Sequence, residues 1–192
     1  MPRAGLTESI VVDAAERMAD ESGLSRVTLA ALAAELGVRQ PSLYKHVDGM
    51  PGLQRSIAVR AKLALAEVIT GACAGLARED ALRAVAHAYR GWAREHPGRY
   101  AATVRAPTPG DEEDRAASAR AFAAVGALLV GYGLEGDSAV HAARSLRAAL
   151  HGFVTLEAAG GFGLPVAVQG SFDAMIDGLA AAMSLWESEE GR

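Results

Sequence analysis

The sequence predicts an all-α fold, and three observations carry that prediction. Apolar residues recur three and four positions apart through most of the chain, which is the spacing of one helix face. Alanine is abundant, whereas aromatic residues make up 5% and β-branched types are sparse, a balance that favours helix over strand. Glycines and prolines interrupt the periodic stretches at intervals that suit helix ends. The reading is about nine helices: a three-helix head over residues 1–52 and a larger helical body over residues 53–192.

The first helix is expected from about Thr7 to Ser22. Thr7 is a good N-cap, Ile10, Ala14 and Met18 share a face, and Gly23 ends it. A second, short helix starts at Thr28, carries Leu29, Leu32, Ala33 and Leu36, and stops at Gly37. A third covers about Gln40 to His46, with Pro41 tolerated in its first turn. Asp48, Gly49, Pro51 and Gly52 are expected to form a break, followed by a long helix from Leu53 to Gly75.

In the body, Glu79–His96 forms one helix closed by Pro97 and Gly98, and Arg99–Arg105 a short one. Ala106–Gly110, with two prolines, is a loop. Asp111–Val130 is the next helix, acidic at its N-terminus as the helix dipole favours. Gly131, Gly133 and Gly136 mark a turn. Ser138–Ala159 is long and apolar, Gly160–Pro165 ends it, and Ser171 caps a last helix to about Trp186.

Composition bounds the setting. A hydrophobic share of 51% supplies a sizeable core. The uncharged run Ala121–Leu134 is shorter than the roughly 20 residues that span a bilayer. Glu8 and Asp13 sit where a secretion signal needs apolar residues. The single cysteine, Cys73, forms no internal disulfide, which suits a reducing compartment. These features point to the cytoplasm. The net charge of -4 speaks against nucleic acid at first, but residues 1–62 carry eight Lys or Arg against seven Asp or Glu. A local field on the head is what DNA meets, not the total.

The informative segment is Thr28–His46. A helix-turn-helix needs a small residue where its helices cross and a glycine in the turn, and Ala33 and Gly37 stand four apart. Leu32, Leu36, Val38 and Leu43 lock the second helix to the first. Leu43 and Val47 then face inward, which sends Pro41, Ser42 and Lys45 outward, towards a major groove. Tyr44 and His46 flank them, within reach of phosphate oxygens. Gln40 can pair with an adenine edge, Ser42 can donate or accept, Pro41 offers an apolar face to a thymine methyl, and Lys45 offers a cation to guanine or phosphate. An ordinary helical hairpin with a polar face is the competing interpretation.

The run Leu36-Gly37-Val38-Arg39-Gln40-Pro41-Ser42-Leu43-Tyr44-Lys45-His46-Val47 resembles the signature of the TetR/AcrR family of regulators, and with Ala14, Gly23 and Thr28–Ala33 the likeness covers about residues 7–60. The resemblance implies base contacts near Gln40, Pro41, Ser42 and Lys45, and backbone contacts from Thr28, Tyr44 and His46. One position departs from the pattern. Met50 stands where the family usually has a phosphate-touching lysine, and Arg39 or Arg55 is the expected substitute.

The body resembles, more faintly, the sensor domain of a TetR-like branch with a Trp-His-Gly motif, through Tyr89–Tyr100 and Leu150-His151-Gly152-Phe153, with Leu150 in place of the tryptophan. That resemblance implies a ligand cavity in each subunit and a four-helix dimer interface from the last two long helices. The apolar stripes on those helices agree with a two-fold bundle. Leu146, Leu150, Phe172, Met175, Ile176, Leu179 and Met183 are the expected interface residues, the competing interpretation being a monomer core. Trp92, Tyr100, Arg105, Phe122, His151, Phe153 and Glu157 mix aromatic surface with polar heads, as effector pockets do, although aromatic residues at helical spacing also build cores.

Neither a metal-ligand spacing nor a phosphate-binding glycine loop is present in the sequence, and no catalytic constellation is apparent. The expectation is a non-enzymatic, cofactor-free regulator, a repressor released from an inverted-repeat operator on double-stranded DNA by a small molecule. A helical small-molecule-binding protein or an enzyme, without DNA binding, is the alternative; DNA affinity separates them.

Overall fold

The structure, a computed structural model, describes residues 5–190, with side chains as far as Trp186. Among them are eight α-helices and no strand: α1 Glu8–Ser22, α2 Leu29–Glu35, α3 Gly49–Cys73, α4 Arg78–Glu95, α5 Pro97–Thr103, α6 Glu112–Val130, α7 Gly136–Ala158 and α8 Val168–Glu190. Two 3-10 segments, Leu24–Arg26 and Gln40–Lys45, flank α2. The all-α expectation holds, and of the helices expected in the head only the third takes the tighter 3-10 form.

Local chemistry explains most boundaries. The Thr7 hydroxyl accepts from the Ile10 amide at 3.3 Å and the Thr28 hydroxyl from the Ala31 amide at 3.1 Å, so each satisfies an N–H that a first turn leaves free. Asp111 accepts from the Asp114 amide at 3.1 Å and does the same for α6. Two helix starts differ most from expectation. α3 begins at Gly49, inside the expected break, because Pro51 falls in its first turn, where a missing N–H costs nothing. α8 begins at Val168, three residues before Ser171, with the Gly170 amide already bonded to the Ala167 carbonyl at 3.1 Å.

The chain folds as two compact units, each assembled from separate stretches. The first takes the chain up to Leu63 together with Glu95–Ser118; the second takes Ala64–Arg94 together with the chain from Ala119 onward. The expected boundary at residue 52 therefore lies within α3.

In the first unit, Val11, Val12, Ala15 and Ala19 of α1 pack with Leu29, Leu32 and Ala33 of α2, Leu43, and Leu53 and Ile57 of α3. Burying each of the large aliphatics contributes about 2 kcal/mol. The α5 backbone closes on α1 at Gly98, where a Cβ would stand 2.1 Å from the Ala19 carbonyl carbon and oxygen. Asp20 secures that contact by accepting from the Arg99 amide at 2.9 Å and its Nε at 2.6 Å. Lys62 and Asp114, both buried, pair at 2.5 Å. In the second unit, Leu82, Val85, Leu129, Leu146, Leu150, Phe172, Ile176 and Met183 are buried.

Candidate nucleic-acid interface

The head positions its polar face through one tight turn. Gly37 takes φ +64, a left-handed conformation that side chains resist. The Val38 amide then bonds the Ala33 carbonyl at 3.0 Å, and the Gly37 amide the Ala34 carbonyl at 3.2 Å. This is the double closure of a Schellman motif. It delivers the chain to the Gln40–Lys45 segment with Val38 and Leu36 packed on the core.

Leu43 is fully buried and Val47 nearly so, which anchors one side of the segment as the sequence predicts. Arg39, Gln40, Pro41 and Lys45 are exposed, Ser42 and His46 are half-buried, and Tyr44 is 58% exposed. A tyrosine ring that open, beside an anchored leucine, is available to a partner. Thr28 is exposed as well, and its hydroxyl caps α2.

The position of the missing lysine behaves differently from its expected substitutes. Met50 packs half-buried against the core of the first unit. Arg55 is not a free phosphate ligand. Its Nε and Nη2 donate to the two oxygens of Asp111, both at 2.6 Å, and Nη2 also reaches Glu113 at 2.8 Å. Two carboxylates thus neutralise it, whereas Arg39, the other expected substitute, is exposed.

The expected effector residues separate. Tyr100 and Arg105 belong to the first unit, where Arg105 is exposed and donates to the Thr108 hydroxyl at 3.1 Å. Trp92, Phe122, His151, Phe153 and Glu157 belong to the second. Trp92 is buried, His151 half-buried and Phe122 exposed. Phe153 and Glu157 meet around Arg90, which sequence reasoning did not single out. Arg90 is buried on α4 and bonds Glu157 through Nε and Nη2 at 2.8 and 2.6 Å. The hydrogen bonds hold the Glu157 carboxyl below its usual range and raise the Arg90 guanidinium.

The expected dimer stripe needs correction. Leu146, Leu150, Phe172, Ile176 and Met183 are each at most 2% exposed within the single chain, so they fill the interior of the second unit. Met175 and Leu179 are half-buried at its margin. Helical periodicity is the same for a core stripe and an interface stripe, and here the core holds these residues.

An all-helical chain with a helix-turn-helix whose polar side is open defines a DNA-binding transcriptional regulator. Comparison with known proteins gives the family. Residues 11–53 match the model described as bacterial regulatory proteins, tetR family, and residues 82–179 match a tetracyclin repressor-like C-terminal domain. Two uncharacterized helix-turn-helix-type transcriptional regulators are similar over most of their length. Rv0681 of Mycobacterium tuberculosis is 42% identical over 82% of this chain and 72% of its own. YobS of Bacillus subtilis is 38% identical over 81% of each. A TetR variant from Acinetobacter baumannii, solved in complex with minocycline, shares the fold with a TM-score of 0.71 at 23% identity, covering 95% of this chain and 99% of its own. The chain belongs to the TetR family of bacterial regulators, proteins that bind DNA and act as dimers. Among the described residues, no helix is long and apolar enough to cross a membrane.

Proposed function

We propose that this protein is a cytoplasmic repressor that binds an inverted-repeat operator as a homodimer and leaves it when a small molecule binds its body. Residues 1–52 are assigned to DNA and residues 53–192 to sensing and dimerisation. The observation that carries the DNA reading is the two-sidedness of one short segment: Leu43 is sealed in the core while Gln40, Pro41, Tyr44 and Lys45 stand open. Gln40, Pro41, Ser42 and Lys45 contact bases; Thr28, Arg39, Tyr44 and His46 contact the phosphate backbone. A two-fold dimer presents the segment twice, hence an inverted repeat. The dimer uses the outward side of the last two helices. Ser171, Ala174, Gly178, Ala181 and Leu185 of α8 are exposed at alternating spacings of three and four, and Ser145, Ala148 and Thr155 are exposed on α7. Small residues let a second copy approach closely, and Met175 and Leu179 flank the stripe. That one protein of this fold is complexed with minocycline supports a small organic molecule as the signal. Trp92, Phe122, His151, Phe153 and Glu157 remain its candidate contacts.

Gel-shift titration of the wild type and of Tyr44→Phe/Lys45→Ala, on fragments selected from the source genome, tests the central claim. The double variant should stay folded and lose most of its affinity. Binding equal to wild type would sink the assignment of Gln40–Lys45.

A further inference from the structure

Among the described residues, Arg90 is the buried charge in the second unit that neither the proposed DNA reading nor the proposed dimerisation uses. Its fork of Nε and Nη2 grips both oxygens of Glu157, and Nη1 donates to the Gln169 Oε1 at 2.7 Å. Gln169 is itself oriented, because its amide nitrogen donates to both Asp173 oxygens at 3.1 Å. Phe172 and Phe153 lie 4.7 and 5.5 Å from the guanidinium, and Phe162 leans over Phe153 with ring centroids 4.8 Å apart. A planar guanidinium resting on two rings that pack edge to face, 4.9 Å apart, with two parallel donors aimed one way, is shaped for a carboxylate.

The carboxylate now in that fork comes from a helix end. Glu157 is the penultimate residue of α7, and Gly160, Gly161 and Gly163 follow with Phe162 among them. Terminal turns open at low cost. The Glu157 side chain is 19% exposed against 7% for Arg90, so the acid of the pair is the one that solvent reaches.

We propose that the Arg90 fork is a receptor for a small monocarboxylate with a flat apolar body, and that Glu157 fills it as an internal stand-in which the ligand displaces. Charge decides the class. Exchanging one carboxylate for another keeps the buried guanidinium neutralised, whereas a neutral or cationic ligand strands it. A dianion adds a second negative charge beside Phe153 and Phe172. The phenyl rings supply edge or offset contact to a flat body. Because Gln169, in the first turn of α8, stays on Arg90 while Glu157 leaves, the exchange alters the end of α7 relative to the start of α8. This inference rests on the reading of the second unit as a sensor.

Sodium benzoate is the probe, with benzamide and phenyl phosphate as neutral and dianionic counterparts, titrated calorimetrically at neutral pH into the full chain. Benzoate should bind Glu157→Gln about tenfold or more tighter than wild type, and neither counterpart should match it. The double variant Arg90→Met/Glu157→Met, which removes both charges together, should not bind benzoate. If Glu157→Gln does not fold alone, benzoate should restore its helical circular dichroism. Equal affinity for wild type and Glu157→Gln, benzamide as good as benzoate, or no binding or rescue at tens of millimolar overturns the proposal. Operator affinity measured alongside separates the two readings. Benzoate that binds without changing operator affinity removes the sensor role and leaves the carboxylate site. Operator release by neutral molecules alone, with no benzoate binding, keeps the sensor and removes the carboxylate site.

Discussion

Arg55 and Asp111 meet in a two-bond fork, Nε to Oδ2 and Nη2 to Oδ1, each 2.6 Å. The fork ties α3 to the residue that caps α6, within the first unit. The Arg55 hydrogen bonds, with a further one from the Asp114 amide, hold the Asp111 carboxyl at about 2, against an ordinary 3.8. A depressed carboxyl stabilises the fold above its unfolded value and ceases to as pH falls through the folded one. The stabilisation should therefore be complete above about pH 4 and fade towards about pH 2. NMR titration of the Asp111 carboxyl carbon should give a midpoint near 2 in wild type and a clearly higher one in Arg55→Ala, still short of 3.8 because the Asp114 amide bond remains. The same midpoint in both would show that the fork does not form in solution.

Two glycine substitutions should differ in size because their causes differ. At Gly37 a Cβ meets nothing within 4 Å, and only the left-handed φ of +64 opposes a side chain. Gly37→Ala should cost about 1 kcal/mol. At Gly98 a Cβ would collide with the Ala19 backbone, and neither backbone can yield without parting α5 from α1. Gly98→Ala should cost about 3 kcal/mol or more. Urea denaturation with comparable slopes measures both. Equal losses would mean that the α1–α5 contact relaxes freely.

What the sequence made legible was decided locally. Thr7, Thr28, Gly23 and Gly37 mark helix ends because neighbouring amides and carbonyls complete the motif there. The open side of the Gln40–Lys45 segment was legible for a similar reason: once Leu43 is placed inward, Gln40, Pro41, Tyr44 and Lys45 stand exposed. The start of α3 was not, since Pro51 and Gly52 resemble a break whether they precede a helix or begin one. Which side of α7 and α8 faces the interior was not legible, because alanines on both sides of these helices let either side pass for the core. Arg90 and Glu157 are 67 residues apart, and each is a type normally found at the surface. Only the fold brings them together; the one hint was the position of Arg90 between Tyr89 and Trp92.

The dimer face proposed on the outward side of α7 and α8 makes its own prediction. Ala181 is exposed on α8 and Ile176 is 1% exposed. Ala181→Glu places charge on the outward stripe and should dissociate the dimer while leaving helical content intact. Ile176→Glu buries a charge and should unfold the second unit. Sedimentation velocity at micromolar concentration, paired with circular dichroism, reads both. A dimeric Ala181→Glu protein would place the interface elsewhere.

Thr28 has been given two roles, and they can be taken apart. Its hydroxyl accepts from the Ala31 amide and so caps α2; contact with the phosphate backbone is its proposed second role. Thr28→Ala removes the cap and should lower stability by about 1 kcal/mol. Thr28→Asp retains an acceptor at the cap, and its charge favours the start of a helix, so urea stability should stay close to wild type. That same charge would face phosphates. If Thr28 lies against DNA, Thr28→Asp should bind every sequence more weakly by a similar factor, and the salt dependence should flatten by about one unit. Gel shifts over a range of salt concentrations measure both effects. A Thr28→Asp protein that is as stable as wild type and binds DNA equally well would leave Thr28 as a cap alone, and the phosphate contacts of the head would then begin at Arg39.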